Sequence, residues 1–368
     1  MKFTVGTEAF KCAMERAYKC VDKRSAVSSL QNLLFHVEKN NSYVVGTNLD
    51  NWVISYITVD NASEETDIVF EDTASLLKAM KFFKGYDISF DVQEYKTIIC
   101  CDGKQTSQTL LDVEDFPKIP IIDMAEGQSY KYDIEKLKER FNLIKYATGD
   151  KNVKELLTGI HFDGNAILAL DGHRMAMDTS TELDIAVPFT ARLNGLALAT
   201  DVLHGDINIM VNDTKISMSD GHTTVISSLL VGEYIDYRKV IPNNGKETKL
   251  QIAEYSEALK YFKAFKKSKD CRQIVGWLND NLILLTEDNV YTNNRCKLSA
   301  FKGEFKDAIG FNNQYMLDAM TQFKTENVIV SIASSVSPIV IIDDNGGLAL
   351  VLPVSLPLGI SKHMRELD

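Results

Sequence analysis

The order of predicted elements repeats three times along the chain, and no other sequence feature limits the fold so tightly. Each unit opens with an amphipathic helix: TEAFKCAMERAYKCV, DIEKLKERFNLIKYA and AEYSEALKYFKAFKK. In the first, Phe10, Met14, Ala17 and Val21 recur at helical spacing, while Lys11, Arg16, Lys19 and Lys23 occupy another arc. In the third, Tyr255, Leu259, Phe262 and Phe265 form the apolar stripe, away from Lys260, Lys263 and Lys267. A strand pair with a polar turn follows each helix, in NLLFHVEKNNSYVVGTNLDNWVISYI, LLTGIHFDGNAILALDGHRMAM and IVGWLNDNLILLTEDNVYTNN. Lys39-Asn40-Asn41, Asp163-Gly164-Asn165 and Asn279-Asp280-Asn281 supply the hairpin chemistry. A second helix comes next: TASLLKAMKFFKG, FTARLNGLALATDVLHG and NNQYMLDAMTQFKTE. Each unit closes on further strands: ISFDVQEYKTIICCDG, INIMVNDTKISMSDGHTTVISSLLV and VIVSIASSVSPIVIIDDNGGLALVLPV.

Corresponding points lie roughly 115 to 130 residues apart, the size of a domain rather than of a solenoid repeat. Pro, Asn and Gly cluster around Pro117–Pro120 and Pro242–Gly245, as at boundaries. The expectation is an α+β chain of three topologically similar domains, each with two helices backed by antiparallel sheet. They span 1–124, 125–245 and 246–356, with 357–368 as a C-terminal extension.

A length of 368 residues exceeds one ordinary core, which agrees with several domains. Apolar residues make up 45% and charged residues 25%, the balance of a soluble globular protein. No apolar run approaches the ~20 residues that span a bilayer. The start, MKFTVGTEAF, lacks the pattern of a signal peptide. The six cysteines have neither metal-ligand nor CxxC spacing, so reduced thiols in a cytoplasmic protein are expected. Cys100 and Cys101 sit in a strand-like run and should face opposite ways. A net charge of −11 argues against a wholly basic surface but leaves room for one basic face.

Enzyme motifs are thin. Gly103-Lys104 and Gly245-Lys246 lack the rest of a phosphate loop, and there is no GxGxxG, GxSxG or HExxH. His36, His161, His173, His204, His222 and His363 never pair at ligand spacing, so neither metal nor cofactor is expected. Only Asp171-Gly172-His173-Arg174 forms a polar constellation. It reads as a hairpin turn whose side chains satisfy local backbone; catalysis there would need a second acid or a nucleophile. No catalytic residue is assigned.

The same segment carries a resemblance. LLTGIHFDGNAILALDGHRMAM resembles the middle-domain signature of the bacterial DNA polymerase III beta subunit family, the sliding clamps. GEYIDYRKVIP is similar to that family's segment joining the second and third domains, and IGFNNQYMLDAM to its Gly-Phe-Asn helix start. SPIVIIDD and LVLPVSL resemble its closing strands. The match runs in order from MKFTV to about Leu356, and three units per chain is the family's count.

The resemblance implies a non-catalytic processivity factor of three DNA-clamp domains, closing a ring as a head-to-tail homodimer around double-stranded DNA. DNA would be held without regard to sequence, with Arg24, Lys151 and Lys154 toward it. DNA polymerase and the clamp loader would dock clamp-binding peptides, which end in apolar side chains, in one cleft. Carried over by motif, that cleft takes Leu157, Leu170, Gly172, His173, Arg174 and Met175 from the middle domain. Ile235, Tyr237, Lys239 and Val240 come from the junction, and Pro338, Leu350, Leu352, Pro353 and Val354 from the closing strands. A ring-like protein scaffold that never retains DNA is the other binding-class reading.

Several positions depart from the family pattern. Leu170 replaces a usual Thr, Ile235 a Pro, Lys239 an Arg and Ser355 an Arg. Lys266 and Lys267 stand where an apolar pair often marks the dimer interface, which implies a weaker dimer. The residues PLGISKHMRELD follow Leu356, and this tail could reach over the cleft with Met364 and Leu367 as apolar knobs.

Overall fold

The computed structural model describes residues 1–121, 127–150, 152–242, 244–266, 272–285, 291–299, 301–303 and 305–366, with backbone alone for 291–293. In the first repeat β1 (Lys2–Gly6) runs straight into α1 (Thr7–Tyr18). A meander of β2 (Leu34–Val37), β3 (Ser42–Thr47) and β4 (Asn51–Ile57) follows, then the short β5 (Val59–Asp60). β6 (Thr66–Phe70) leads into α2 (Thr73–Met80), and β7 (Asp87–Val92), β8 (Lys96–Cys101) and β9 (Lys104–Leu111) close the repeat.

The second repeat has the same order. β10 (Gln128–Asp133) enters α3 (Ile134–Ile144), and β11 (Gly159–Gly164), β12 (Ala166–Leu170) and β13 (Arg174–Thr179) form the meander. β14 (Ile185–Arg192) leads to α4 (Leu193–Val202), followed by β15 (Asp206–Val211), β16 (Lys215–Ser219) and β17 (Thr223–Leu230). The third repeat runs β18 (Lys246–Gln251), α5 (Ile252–Lys263), β19 (Ile274–Leu278), β20 (Asn281–Leu285) and β21 (Tyr291–Lys297). Then come β22 (Ile309–Asn312), α6 (Asn313–Gln322), β23 (Asn327–Ile332), β24 (Ile339–Ile342) and β25 (Gly347–Val351). β26 (Pro353–Val354) and α7 (Ile360–Arg365) complete the described chain.

Two expectations need correction. Each repeat opens with a strand rather than a helix, and a three-stranded meander, not a pair, follows that helix, with the short β5 added in the first repeat. The opening strands KFTVG, QSYKYD and KETKLQ bury few residues, so their mixed polar composition hides them. The helix stripes hold: Phe10, Met14, Ala17, Tyr255, Leu259 and Phe262 are fully buried. Phe265 is not. α5 ends at Lys263, which drops Phe265 out of the helical period, 44% exposed and edge-on to Tyr261 at 5.1 Å.

The chain forms two compact units, Met1–Lys138 with Ala191–Val231, and Glu139–Thr190 with Gly232–Asp368. The division passes through the second repeat because its ends are sheet partners of different neighbours. In one unit β17 pairs antiparallel with β4, from Thr223 opposite Ser55 to Ser227 opposite Asn51. In the other β13 pairs antiparallel with β25, from Arg174 opposite Val351 to Asp178 opposite Gly347. The first unit packs around Phe3, Phe10, Phe35 and Phe90, with Phe3 stacked on Phe90 at 4.8 Å. The second packs Trp277 against Tyr255 at 5.2 Å and edge-on to Phe305 at 4.9 Å. Among the described residues no helix is long and apolar enough to cross a membrane. The described cysteines are free thiols, and Cys100 and Cys101 do differ in burial as alternation in β8 requires.

Candidate functional site

The β13–β25 junction lays one row of apolar side chains across four neighbouring strands. Leu170 on β12 faces Met175 on β13, Met175 faces Leu350 on β25, and Leu350 faces Val340 on β24. Strand alternation puts all of them on one side of the sheet. Leu157, from the 3₁₀ turn Glu155–Thr158, and Tyr237, from the turn Tyr237–Val240, pack onto the row. Leu352 joins at the edge, its N–H donating to the His173 carbonyl at 2.9 Å. Ile235 and Val240, on either side of Tyr237 in the chain, are 40% and 39% exposed.

The turn between β12 and β13 closes one end. Gly172 has φ +87°, which favours glycine, and a Cβ there would meet nothing within 4 Å, so the turn leaves open space above it. Asp171 accepts the N–H groups of His173 and Arg174 at 2.9 and 3.0 Å. Its other oxygen accepts Arg174 Nε at 2.9 Å, while Arg174 Nη1 donates to Asp318 at 2.6 Å. The guanidinium lies over the Tyr315 ring at 4.5 Å and near the Tyr146 ring at 5.4 Å. Burial opposes the Arg174 charge, but Asp318 and Asp171 together outweigh it and raise its pKa. Burial likewise pushes the Tyr146 phenol up. Asp171 and Arg174 are thereby committed to a structural strut, whereas His173 is exposed, its ring 6.0 Å from Tyr315.

Six of the carried-over residues thus converge in one cluster: Leu157, Leu170, Met175, Tyr237, Leu350 and Leu352. Gly172, His173 and Arg174 form the adjoining turn, and half-buried Pro338 immediately precedes β24. Three stand apart. Lys239 points outward and pairs with Asp236 at 2.9 Å. Pro353 and Val354 are held on β22, and Val354 packs with the third-repeat core instead. Tyr237 is floor rather than rim, its hydroxyl donating to Asp163 at 3.2 Å. Sequence reasoning missed Val340, Tyr146, Tyr315 and Asp318. The signal for Tyr315 and Asp318 was the Gly-Phe-Asn helix start: Asn312 caps α6, accepting from Gln314 and Tyr315 N–H at 2.9 and 3.4 Å.

Met364 does not reach the cleft as an apolar knob. Ile360 and Met364 are buried in the third-repeat core, and Leu367 lies outside the described residues. Of the cations assigned to DNA, Arg24 is exposed and Lys154 is exposed with Nζ donating to the Glu233 carbonyl at 3.2 Å. Lys151 lies outside the described residues, as does Lys267; Lys266 is half-buried.

Fold and site define a class: a thrice-repeated α+β unit that carries a row of apolar side chains beside a locked turn. The family model for the DNA polymerase III beta subunit, N-terminal domain, matches residues 1–120, and that for its C-terminal domain matches 238–353. The beta sliding clamp of Lactococcus lactis is 23% identical over 389 residues, covering 96% of this chain and 99% of that one. The beta sliding clamp of Pseudomonas aeruginosa is 24% identical over 383 residues, covering 97% and 100%. The crystal structure of the Pseudomonas aeruginosa DNA polymerase III subunit beta superposes with a TM-score of 0.85 at 21% identity, over 97% of this chain and 100% of that one. The chain belongs to the DNA polymerase III beta subunit family, that of the non-catalytic beta sliding clamps.

Proposed function

We propose that the chain is a sliding clamp that encircles duplex DNA as a head-to-tail homodimer and tethers DNA polymerase and other replication proteins through the cleft. One observation carries the ring. The third meander strand of a repeat pairs with the last strand of the next: β4 with β17, and β13 with β25. The equivalent strand of the third repeat is β21, and the equivalent last strand still to be matched is β9 of the first. Among the described pairings β21 meets only β20, and Lys104–Gln108 of β9 meet only β8. Joining β21 of one copy to β9 of another repeats the same junction, satisfies both edges and closes two chains into a ring.

Within that ring, contacts from Arg24, Lys151 and Lys154 to phosphates hold DNA without reading bases. The cleft buries a peptide Leu or Phe for about 1.5–3 kcal/mol each, which suits partners that exchange. Sedimentation over a concentration series tests the ring. A dimer is expected, weakened by Lys266 and Lys267 at the contact; a monomer at high concentration contradicts it.

A further inference from the structure

We propose that the C-terminal segment after Leu356 is a staple that fixes one wall of the cleft in its peptide-ready position. The inference rests on the cleft reading above. Leu352 packs at the edge of the apolar cluster, and the next residues, Pro353 and Val354, pair with Phe311 and Gly310 of β22. That pairing involves two residues and would fray if the chain were untethered beyond it. The tether is built into the sheet. Gly276 on β19 and Gly310 on β22 are directly opposite each other, leaving a trough without side chains on one face. The alternating neighbours Val275, Trp277, Ile309 and Phe311 go to the other face and are fully buried.

The tail fills this trough. A Cβ on Gly310 would lie 2.6 Å from Leu356 Cδ2, and one on Gly276 would lie 3.4 Å from Met364 Sδ and 3.7 Å from Ile360 Cδ1. Gly359, at φ +85°, turns the chain into α7 so that Ile360 and Met364 share the face that packs down. Ser361 Oγ accepts the Ala308 N–H at 3.3 Å, and Arg365 donates to the Lys306 carbonyl beside Asp307. The tail thus grips the segment before β22 as well as the sheet face. Anchored side chains at Leu356, Ile360 and Met364 recur along the segment that follows Leu352, with Leu358 exposed between them. Fixing the wall in advance removes the ordering cost that a peptide would otherwise meet on binding.

The test is the affinity of a fluorescein-labelled hexapeptide ending in Leu-Phe for four chains: full length, one ending at Leu356, full-length Gly276→Leu, and full-length Met364→Leu. The truncated chain and Gly276→Leu are expected to bind about tenfold more weakly, chiefly through faster dissociation. Met364→Leu, which keeps the apolar contact, should bind as the parent does. Sedimentation should show the same dimer for all four, which separates cleft positioning from a general loss of structure. Should the truncated chain fail to fold, Gly276→Leu carries the test by itself. Equal affinities in all four, or tighter binding after truncation, would overturn the staple and leave the cleft intact. Absence of binding by the full chain would overturn the cleft reading and the staple with it.

Discussion

The turns between the second and third meander strands of the first and second repeats occupy equivalent places and are built from different chemistry. In the first, Thr47 Oγ1 donates to the Asn51 carbonyl at 2.8 Å, and the Asn48 side chain accepts the Asn51 N–H at 2.9 Å. Neutral side chains close this turn, while Asp50 faces Arg192 at 3.8 Å and accepts the Ser228 N–H on its carbonyl at 2.8 Å, with Leu49 at φ 73° exposed at the tip. In the second, a carboxylate and a guanidinium lock the turn, and the guanidinium reaches on to Asp318 of α6. The strands that follow, β4 and β13, make the same kind of junction. A shared frame therefore carries a turn closed by neutral side chains in one repeat and a turn locked by a half-buried ion pair in the other. The site is a local elaboration of a structural junction.

Breaking each turn should separate them most. Arg174→Ala leaves Asp171 and Asp318 facing each other without a cation, and should cost about 2–4 kcal/mol. Asn48→Ala removes neutral hydrogen bonds at a solvent-facing turn and should cost about 1 kcal/mol. Urea unfolding of both variants measures the difference, and equal costs would erase the distinction. Peptide binding gives the next largest contrast. Leu157→Ala and Leu352→Ala should each weaken the labelled hexapeptide about tenfold, following the apolar area lost. Leu49→Ala, at the tip of the other turn, should leave binding unchanged in the same titration.

The contrast explains what the sequence made legible. The threefold order was readable because helix stripes such as Phe10-Met14-Ala17 and strand runs such as AILAL keep their period whatever surrounds them. The opening strands were hidden because KFTVG and KETKLQ are one-sided and partly charged. Asp171, Gly172, His173 and Arg174 stood out as a turn, yet the Asp318 partner lies 144 residues from Arg174, beyond any local pattern. The two-residue β26 and the glycine trough depend on the cross-strand match of Gly276 with Gly310, which sequence spacing does not give. The tail could reach over the cleft on sequence because it starts beside Pro353 and Val354; only the trough shows where the Met364 side chain belongs.

A pH comparison is subtler. His161 on β11 and His36 on β2 hold equivalent positions, but their surroundings differ. His36 meets Asp67 at 2.8 Å and Glu38 at 3.6 Å, whereas His161 meets the Thr190 hydroxyl at 3.0 Å and stacks on Tyr234 at 4.0 Å. Burial lowers the His161 pKa from 6.5 to about 4, so the folded state holds the neutral ring. An unfolded chain binds the proton first. The stability tied to neutral His161 is therefore present above about pH 6.5 and is lost as pH falls toward 4, on the order of 1–3 kcal/mol. His161→Gln should flatten that fall in thermal unfolding across the same window; an unchanged slope would exclude His161 as its source. The smallest effect belongs to Leu49. Replacing it with Gly relieves a left-handed backbone and should raise stability by about 0.5–1 kcal/mol, whereas a loss would show that its exposed side chain matters.

The central claim is that β21 and β9 complete between two chains the junction that β4–β17 and β13–β25 make within one. The direct measurement dilutes the protein to monomers, reassembles it with nicked circular DNA, and filters the mixture in high salt before and after the circle is cut. High salt removes binding that depends on phosphate contacts alone. The protein should stay with the circle and leave once the DNA is linear, because only a closed ring is held by topology. Equal loss from both forms, or equal retention on both, would contradict the ring.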